Sequence, residues 1–248
     1  MRVTLNGYVS ADEDLFFYDW FGYPAFGPST VRQALADTPQ GEELVLEVNS
    51  YGGSVWAGAE IYSVLKSAET PTRAEIQSLA ASAASYLVAG CDEVWISPVA
   101  EMMVHLPATV TDGDRNAHRN SIHVLDSIEA SILNAYEIKS AGKKNRDELA
   151  RMMHNETWLT AQDALDAGLV DGILYDTAIN PKAVVNAAGG VLQSLSRGVP
   201  DIAKLRDEYH KTHKPAGSPA DNNTGWQDAA RKRLTLEQNR FYGGNTHA

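Results

Sequence analysis

Short apolar runs alternate with longer stretches of helical period along the first 180 residues, and few folds accommodate that alternation. Residues 3–5, 43–48, 72–77, 93–96 and 102–104 have the length and the aliphatic, β-branched content of buried strands. Between and after them, residues 29–35, 55–65, 83–89, 121–140, 145–153 and 160–167 read as helices. In the longest, Ile122, Leu125, Ile128, Ile132 and Tyr136 recur near a 3.6 period, the mark of an amphipathic helix. The 83–89 stretch is small and apolar all round, as a buried helix would be. Strands that return through helices must run parallel, so the expected class is α/β with a largely parallel sheet.

Composition narrows the function classes. The chain has 248 residues, 44% hydrophobic and 21% charged, with a formal net charge of -11, which argues against a protein that coats nucleic acid. Cys91 is the one cysteine, so neither an intrachain disulfide nor a cysteine-based zinc cluster is expected. The histidine spacing suggests no metal site, and no cofactor is expected. No apolar run approaches the roughly 20 residues of a membrane span, and Met1 leads into Arg2-Val3-Thr4-Leu5 rather than a signal sequence. A soluble, cytoplasmic protein is expected. Charge and composition both change late in the chain. Residues 1–196 carry a net -14 and residues 197–248 a net +3. From Gly198 onward come Pro200, Lys214-Pro215-Ala216-Gly217-Ser218-Pro219 and Asp221-Asn222-Asn223-Thr224-Gly225 with few large apolar residues, as in a linker, while residues 226–241 suit a helix formed against a partner. The expected division is a folded domain over 1–180 and a polar, basic tail over 181–248.

Four stretches hold residues with chemical potential. Asn49-Ser50-Tyr51-Gly52-Gly53-Ser54-Val55 joins a strand to a helix. Paired glycines there leave backbone N–H groups open to a ligand oxygen, which suits an oxyanion hole, a phosphate cradle or a plain tight turn. A P-loop's Gly-Lys-Ser/Thr is missing. Ser78-Leu79-Ala80-Ala81-Ser82-Ala83-Ala84-Ser85 sets serines between a strand and a small-residue helix. A hydroxyl at that turn is either an exposed nucleophile with an amide beside it or a helix cap. His105 follows the 102–104 strand and precedes Leu106-Pro107, a position open to a general base or to a structural histidine. Around 155–171, Thr160 caps a helix, Asp163 supports its first turn and Gly168 ends it, which leaves Glu156 as an acid with no capping role.

In order, from about Val3 to Asp176, these stretches resemble the Clp protease proteolytic subunits, in the ClpP-like branch of bacteriophage head-maturation and prophage proteases. The motifs are residues 49–55, Leu79-Ala80-Ala81-Ser82-Ala83, Met103-Val104-His105-Leu106-Pro107, and Glu156-Thr157-Trp158 with Gly168-Leu169-Val170-Asp171. The resemblance implies a ClpP/crotonase-like spiral fold and a serine endopeptidase with Ser82 as nucleophile and His105 as base. Gly53 and Ala83 would supply the oxyanion amides, with Gly52, Ser54 and Val55 at the substrate. Glu156 stands where the family usually has the aspartate of the triad, and Tyr51 where it commonly has proline. The resemblance further implies protein substrates, scaffold and capsid proteins in the phage setting, and homo-oligomers stacked as rings. An unfoldase, portal or capsid partner would fit; nucleic acid and membrane would not. The aromatic stretch at 11–28, with Phe16, Phe17, Tyr18, Trp20, Phe21, Tyr23 and Phe26, is expected either in the core or on a contact surface. Two rivals share the fold: an acyl-CoA hydratase or isomerase, and a capsid-assembly or scaffold component without catalysis.

Overall fold

The computed structural model describes residues 1–175 and 202–212. The chain divides into compact units Met1–Arg206 and Asp207–Ala248, and the site lies in the first. Its strands are β1 (Arg2–Val9), β2 (Ala25–Phe26), β3 (Leu44–Gly53), β4 (Thr72–Ala81), β5 (Glu93–Ile96), β6 (Glu101–Val104), β7 (Thr157–Thr160) and β8 (Gly172–Ile173). The helices are α1 (Leu15–Trp20), α2 (Pro28–Asp37), α3 (Val55–Lys66), α4 (Ala83–Leu87), α5 (Arg115–Ser140), α6 (Arg146–His154), α7 (Ala161–Ala167) and α8 (Ile202–Thr212).

The expected α/β class is what the structure shows. Among the described residues one eight-stranded sheet runs β2-β1-β3-β4-β5-β8, with β6 on β4 and β7 on β6. Every pairing is parallel except β6 with β7. One edge of β4 is shared. Its first half pairs β5 (Arg73 with Glu93 through Ile76 with Ile96), and its last three residues pair β6 (Leu79 with Glu101 through Ala81 with Met103). Pro98, in the turn between them, has no N–H to give a ladder, and the Ala100 amide closes that turn on Ser97 O at 2.9 Å. The sheet therefore splits at β4 into a branch through β5 to β8 that is parallel throughout and a branch through β6, itself parallel to β4, that ends in antiparallel β7.

The core fills the space between this sheet and its helices. Leu5, Leu46, Ile76 and Ile96 from strands meet Ile61 of α3 and Leu87 of α4, all fully buried. Residues 83–90 are buried on every side, as their composition requires. The long helix α5 is buried only toward its end, at Ile132, Leu133, Ala135, Tyr136 and Ser140, while Ile122 is 57% exposed.

Several boundaries differ from expectation. Strands β3 and β4 run on to Gly53 and Ala81, because their polar and glycine residues are held by neighbours in the ladder rather than by their own strand preference. Helix α2 begins at Pro28, one residue before the expected start, and the Thr30 hydroxyl accepts from Gly27 N at 3.3 Å. Helix α5 begins at Arg115, where Asp114 accepts from the Asn116 and Ala117 amides at 2.9 Å each. The aromatic 11–28 stretch is divided: Tyr18 and Phe26 are buried, whereas Phe16 is 52% and Trp20 48% exposed. The expected boundary at residue 180 and the 226–241 helix lie outside the described residues. Helix α8 stands where a linker was expected, because no Gly or Pro interrupts the helix formers between Pro200 and Pro215.

Ile61 tests the core between α3 and the sheet. Ile61→Ala removes a fully buried side chain and should cost about 2–5 kcal/mol, read from urea denaturation.

Candidate active site

The site grows from the divided edge of β4. Where that strand ends, Ser82 turns the chain into α4 with φ 54° and ψ -123°, a left-handed conformation that costs a non-glycine residue about 1–3 kcal/mol. The neighbours hold it there. Ser82 N donates to Met103 O at 2.9 Å, one step beyond the β4–β6 ladder. Its carbonyl accepts from the Ser85 amide at 2.9 Å and from Ser85 Oγ at 2.6 Å. The hydroxyl is thereby turned out of the helix. Ser82 makes no side-chain cap, so the capping alternative does not describe it.

His105 follows β6 directly, two residues past Met103, the last β6 residue in register with β4. Its Nε2 lies 2.7 Å from Ser82 Oγ. Both residues are half-buried. Burial disfavours the charged imidazolium and lowers the His105 pKa from 6.5, an effect partly opposed by the negative charge of Glu156. At neutral pH the ring is consequently neutral. With its proton on Nδ1, Nε2 is free to accept from the serine hydroxyl.

Glu156 is brought near by β7. The antiparallel register pairs Val104 with Thr157, so one further step sets His105 across from Glu156. Glu156 also has a positive φ, 48°, and its amide closes α6 on Met153 O at 3.1 Å. Among the described residues it makes no hydrogen bond to His105. Its side chain is exposed, and it acts on the ring through charge. Of the three expected catalytic residues, the structure thus joins Ser82 and His105 directly and places Glu156 beside them.

The glycine pair closes the other wall. Gly52 has φ 88°, and a Cβ on it would lie 2.6 Å from Ala81 O, 2.7 Å from Ser82 Cβ and 2.9 Å from Ala83 N. Gly53 has φ 149°, and a Cβ there would come 2.2 Å from Val9 O. Neither place admits a side chain. Bare backbone at Gly52 therefore packs straight onto the Ser82–Ala83 peptide. Ala83 N–H is the first amide of α4 and by position has no intrahelical acceptor. Ser54 Oγ caps α3 by accepting from Ala57 N at 3.3 Å, and Val55 O accepts from the Tyr86 hydroxyl at 2.6 Å, so both are in structural use.

Sequence reasoning missed the apolar surface beside the pair. Leu79, Ala81 and Met103 form a separate small cluster with Tyr51 and Trp158. Strand alternation puts His105 on the same face as Met103, and Glu156 on the same face as Trp158. Alternation within β6 and β7 was the available signal, but β7 was not read as a strand. No group of three or more His, Cys, Asp or Glu residues arranged to hold a metal is found among the described residues.

Fold and pair together define an α/β protein with a serine–histidine site at the carboxyl ends of its strands. The family model for Clp protease matches residues 32–177, more than half of the chain, and the chain belongs to the Clp protease family. It is similar to the ATP-dependent Clp protease proteolytic subunit 1 of Chlamydia abortus (strain DSM 27085 / S26/3), 30% identical over 142 residues, covering 56% of this chain and 73% of that protein. The subunit 1 of Chlamydia muridarum (strain MoPn / Nigg) is 29% identical over 143 residues, with the same coverage of 56% and 73%. That of Salinibacter ruber (strain DSM 13855 / M31) is 26% identical over 165 residues, 64% of this chain and 70% of that protein.

The electrostatics of His105 give a direct test. An NMR titration should place its midpoint below 6.5, and Glu156→Gln should move the midpoint lower still, since it removes the charge that favours the imidazolium. A midpoint unchanged by Glu156→Gln would separate Glu156 from the site.

Proposed function

We propose that this protein is a serine endopeptidase in which His105 takes the proton from Ser82 as Oγ attacks the scissile carbonyl. The observation that carries the reading is the 2.7 Å contact between His105 Nε2 and Ser82 Oγ, made by a ring that burial keeps neutral. The attack converts the carbonyl oxygen to an oxyanion, received by the N–H groups of Gly53 and Ala83. His105, now an imidazolium, returns its proton to the leaving amine, and the peptide bond breaks to leave an acyl-enzyme on Ser82. Water, deprotonated by the same ring, then releases the acid. Glu156 favours the charged imidazolium in both steps, as the acid of a triad does, from one methylene further out than an aspartate. The apolar cluster of Tyr51, Met103 and Trp158 offers a surface for a nonpolar substrate side chain. An acyl-CoA hydratase or isomerase would use the glycine amides but has no call for a serine paired to an imidazole.

The relatives are named as ATP-dependent proteolytic subunits, and by that likeness we place this chain in a homo-oligomeric assembly fed by an ATP-driven partner. A cytoplasmic location goes with that reading, and no helix among the described residues is long and apolar enough to cross a membrane. The finer setting, maturation of a bacteriophage head with scaffold and capsid proteins as substrates, rests on the motif resemblance. It is checked by processing of a scaffold protein in assembling particles by the wild type and not by Ser82→Ala.

The first test of the chemistry is labelling with a fluorophosphonate, followed by mass spectrometry of the labelled peptide. Wild type should label on Ser82, and Ser82→Ala and His105→Ala should each lose labelling and about 1,000-fold or more of peptide hydrolysis. A folded wild-type oligomer that does not label would turn the reading to a non-catalytic assembly component.

A further inference from the structure

A buried tyrosine on the long helix reaches the nucleophile's own peptide. Tyr136 is 2% exposed and its hydroxyl lies 2.5 Å from Ser85 Oγ, which in turn lies 2.6 Å from Ser82 O. Donor counting sets the direction. A carbonyl only accepts, so the single hydroxyl proton of Ser85 goes to Ser82 O, and the Tyr136 hydroxyl must donate to Ser85 Oγ. Burial raises the Tyr136 pKa, which keeps the phenol protonated and able to donate. The chain thus runs Tyr136 O–H to Ser85 O–H to Ser82 C=O, and its first step joins residues 51 positions apart.

Its end point matters because a peptide group is a rigid plane. The Ser82 carbonyl and the Ala83 N–H are opposite ends of one trans amide, so a bond that aims the first also aims the second. With two donors from Ser85 on the carbonyl, the amide has little freedom to rock. Hydrogen bonds to an amide oxygen also polarise its N–H, by about 10–30% per bond along a chain. Both effects act where Ser82 holds an unfavourable φ of 54°, so the elbow would relax without such restraint.

We propose that Tyr136 and Ser85 are positioning residues that aim and polarise the Ala83 N–H toward the oxyanion of the transition state. The inference rests on the hydrolase reading above and deepens it. Neither residue touches substrate. Their contribution grows as charge develops on the substrate oxygen, and it belongs to kcat rather than to ground-state binding.

The experiment uses the full chain as Tyr136→Phe and as the double variant Ser85→Ala/Tyr136→Phe. The double variant takes away the whole hydroxyl chain and leaves no buried partner unpaired, which protects folding. Rates of peptide hydrolysis are referred to the fraction of Ser82 that labels with the fluorophosphonate, so a loss of folded protein does not count as a loss of rate. Both variants should show kcat reduced about tenfold, KM within twofold of wild type, and an unmoved acid limb in the pH profile, since His105 is untouched. An unchanged kcat per labelled site, a change carried by KM, or an acid limb that moves would each overturn the positioning role while leaving the hydrolase reading standing. A wild type that neither labels nor cleaves overturns the hydrolase reading, and this inference with it.

Discussion

The two pairings along one edge of β4 are the constraint on which the remainder of the site depends. Its first half is taken by β5 and its last residues by β6, so the sheet opens into two branches between Ile76 and Leu79, just before β4 ends. One branch is parallel throughout and runs on to β8; the other starts with parallel β6 and brings in β7 antiparallel to it. Ser82 leaves β4 at that fork and His105 leaves β6 beside it. Both residues are therefore positioned by main-chain ladders, which are stiffer than loops and less tolerant of drift.

The fork also explains why the site tolerates so much unfavourable backbone. Ser82 itself, and Glu156, Gly52 and Gly53 in the segments that meet at the pair, have positive φ. Strained residues persist only where their surroundings over-determine them. Here Met103 O, Ser85 and the ladder do so for Ser82, and the end of α6 does so for Glu156. Glycine meets the same demand at 52 and 53 for a different reason, since a Cβ at either position would strike backbone. Strain and close approach occur together here, which is the geometry that the proposed oxyanion site requires, since an oxyanion needs bare N–H groups brought within reach of one atom.

How much of this was legible beforehand varies by residue. Ser82 and His105 stand out because each comes just after an apolar run; β6 lies where its run predicts, whereas β4 continues past its expected end at Gln77 to Ala81, which is what brings the strand end to Ser82. Thr160, Asp163 and Gly168 read as a cap, its support and a stop, and they serve as such: the Thr160 hydroxyl accepts from Asp163 N at 3.3 Å, and Gly168 takes a φ of 74°. The role of Ser85 was not legible. As one more small residue in a run of alanines it looks like packing, and its partner Tyr136 looks like one more apolar position of an amphipathic helix. Strand β7 was hidden as well, because four residues beside a cap carry too little alternation to be told from a loop.

What the sequence by itself determined is local: which runs are buried, which stretches are helical, and where a cap and a stop such as Thr160 and Gly168 bound them. Those follow from hydrophobic period, capping chemistry and the cost of a Cβ, all of which act within a few residues. The tertiary structure decided which strand lies against which, and so which hydroxyl meets which ring. Register 101 to 160 sets Glu156 across from His105, and the packing of α5 on α4 carries the Tyr136 hydroxyl to Ser85. Contacts between residues 23 or 51 positions apart depend on the assembled sheet and its helices, because no local preference encodes the distance between two strand ends.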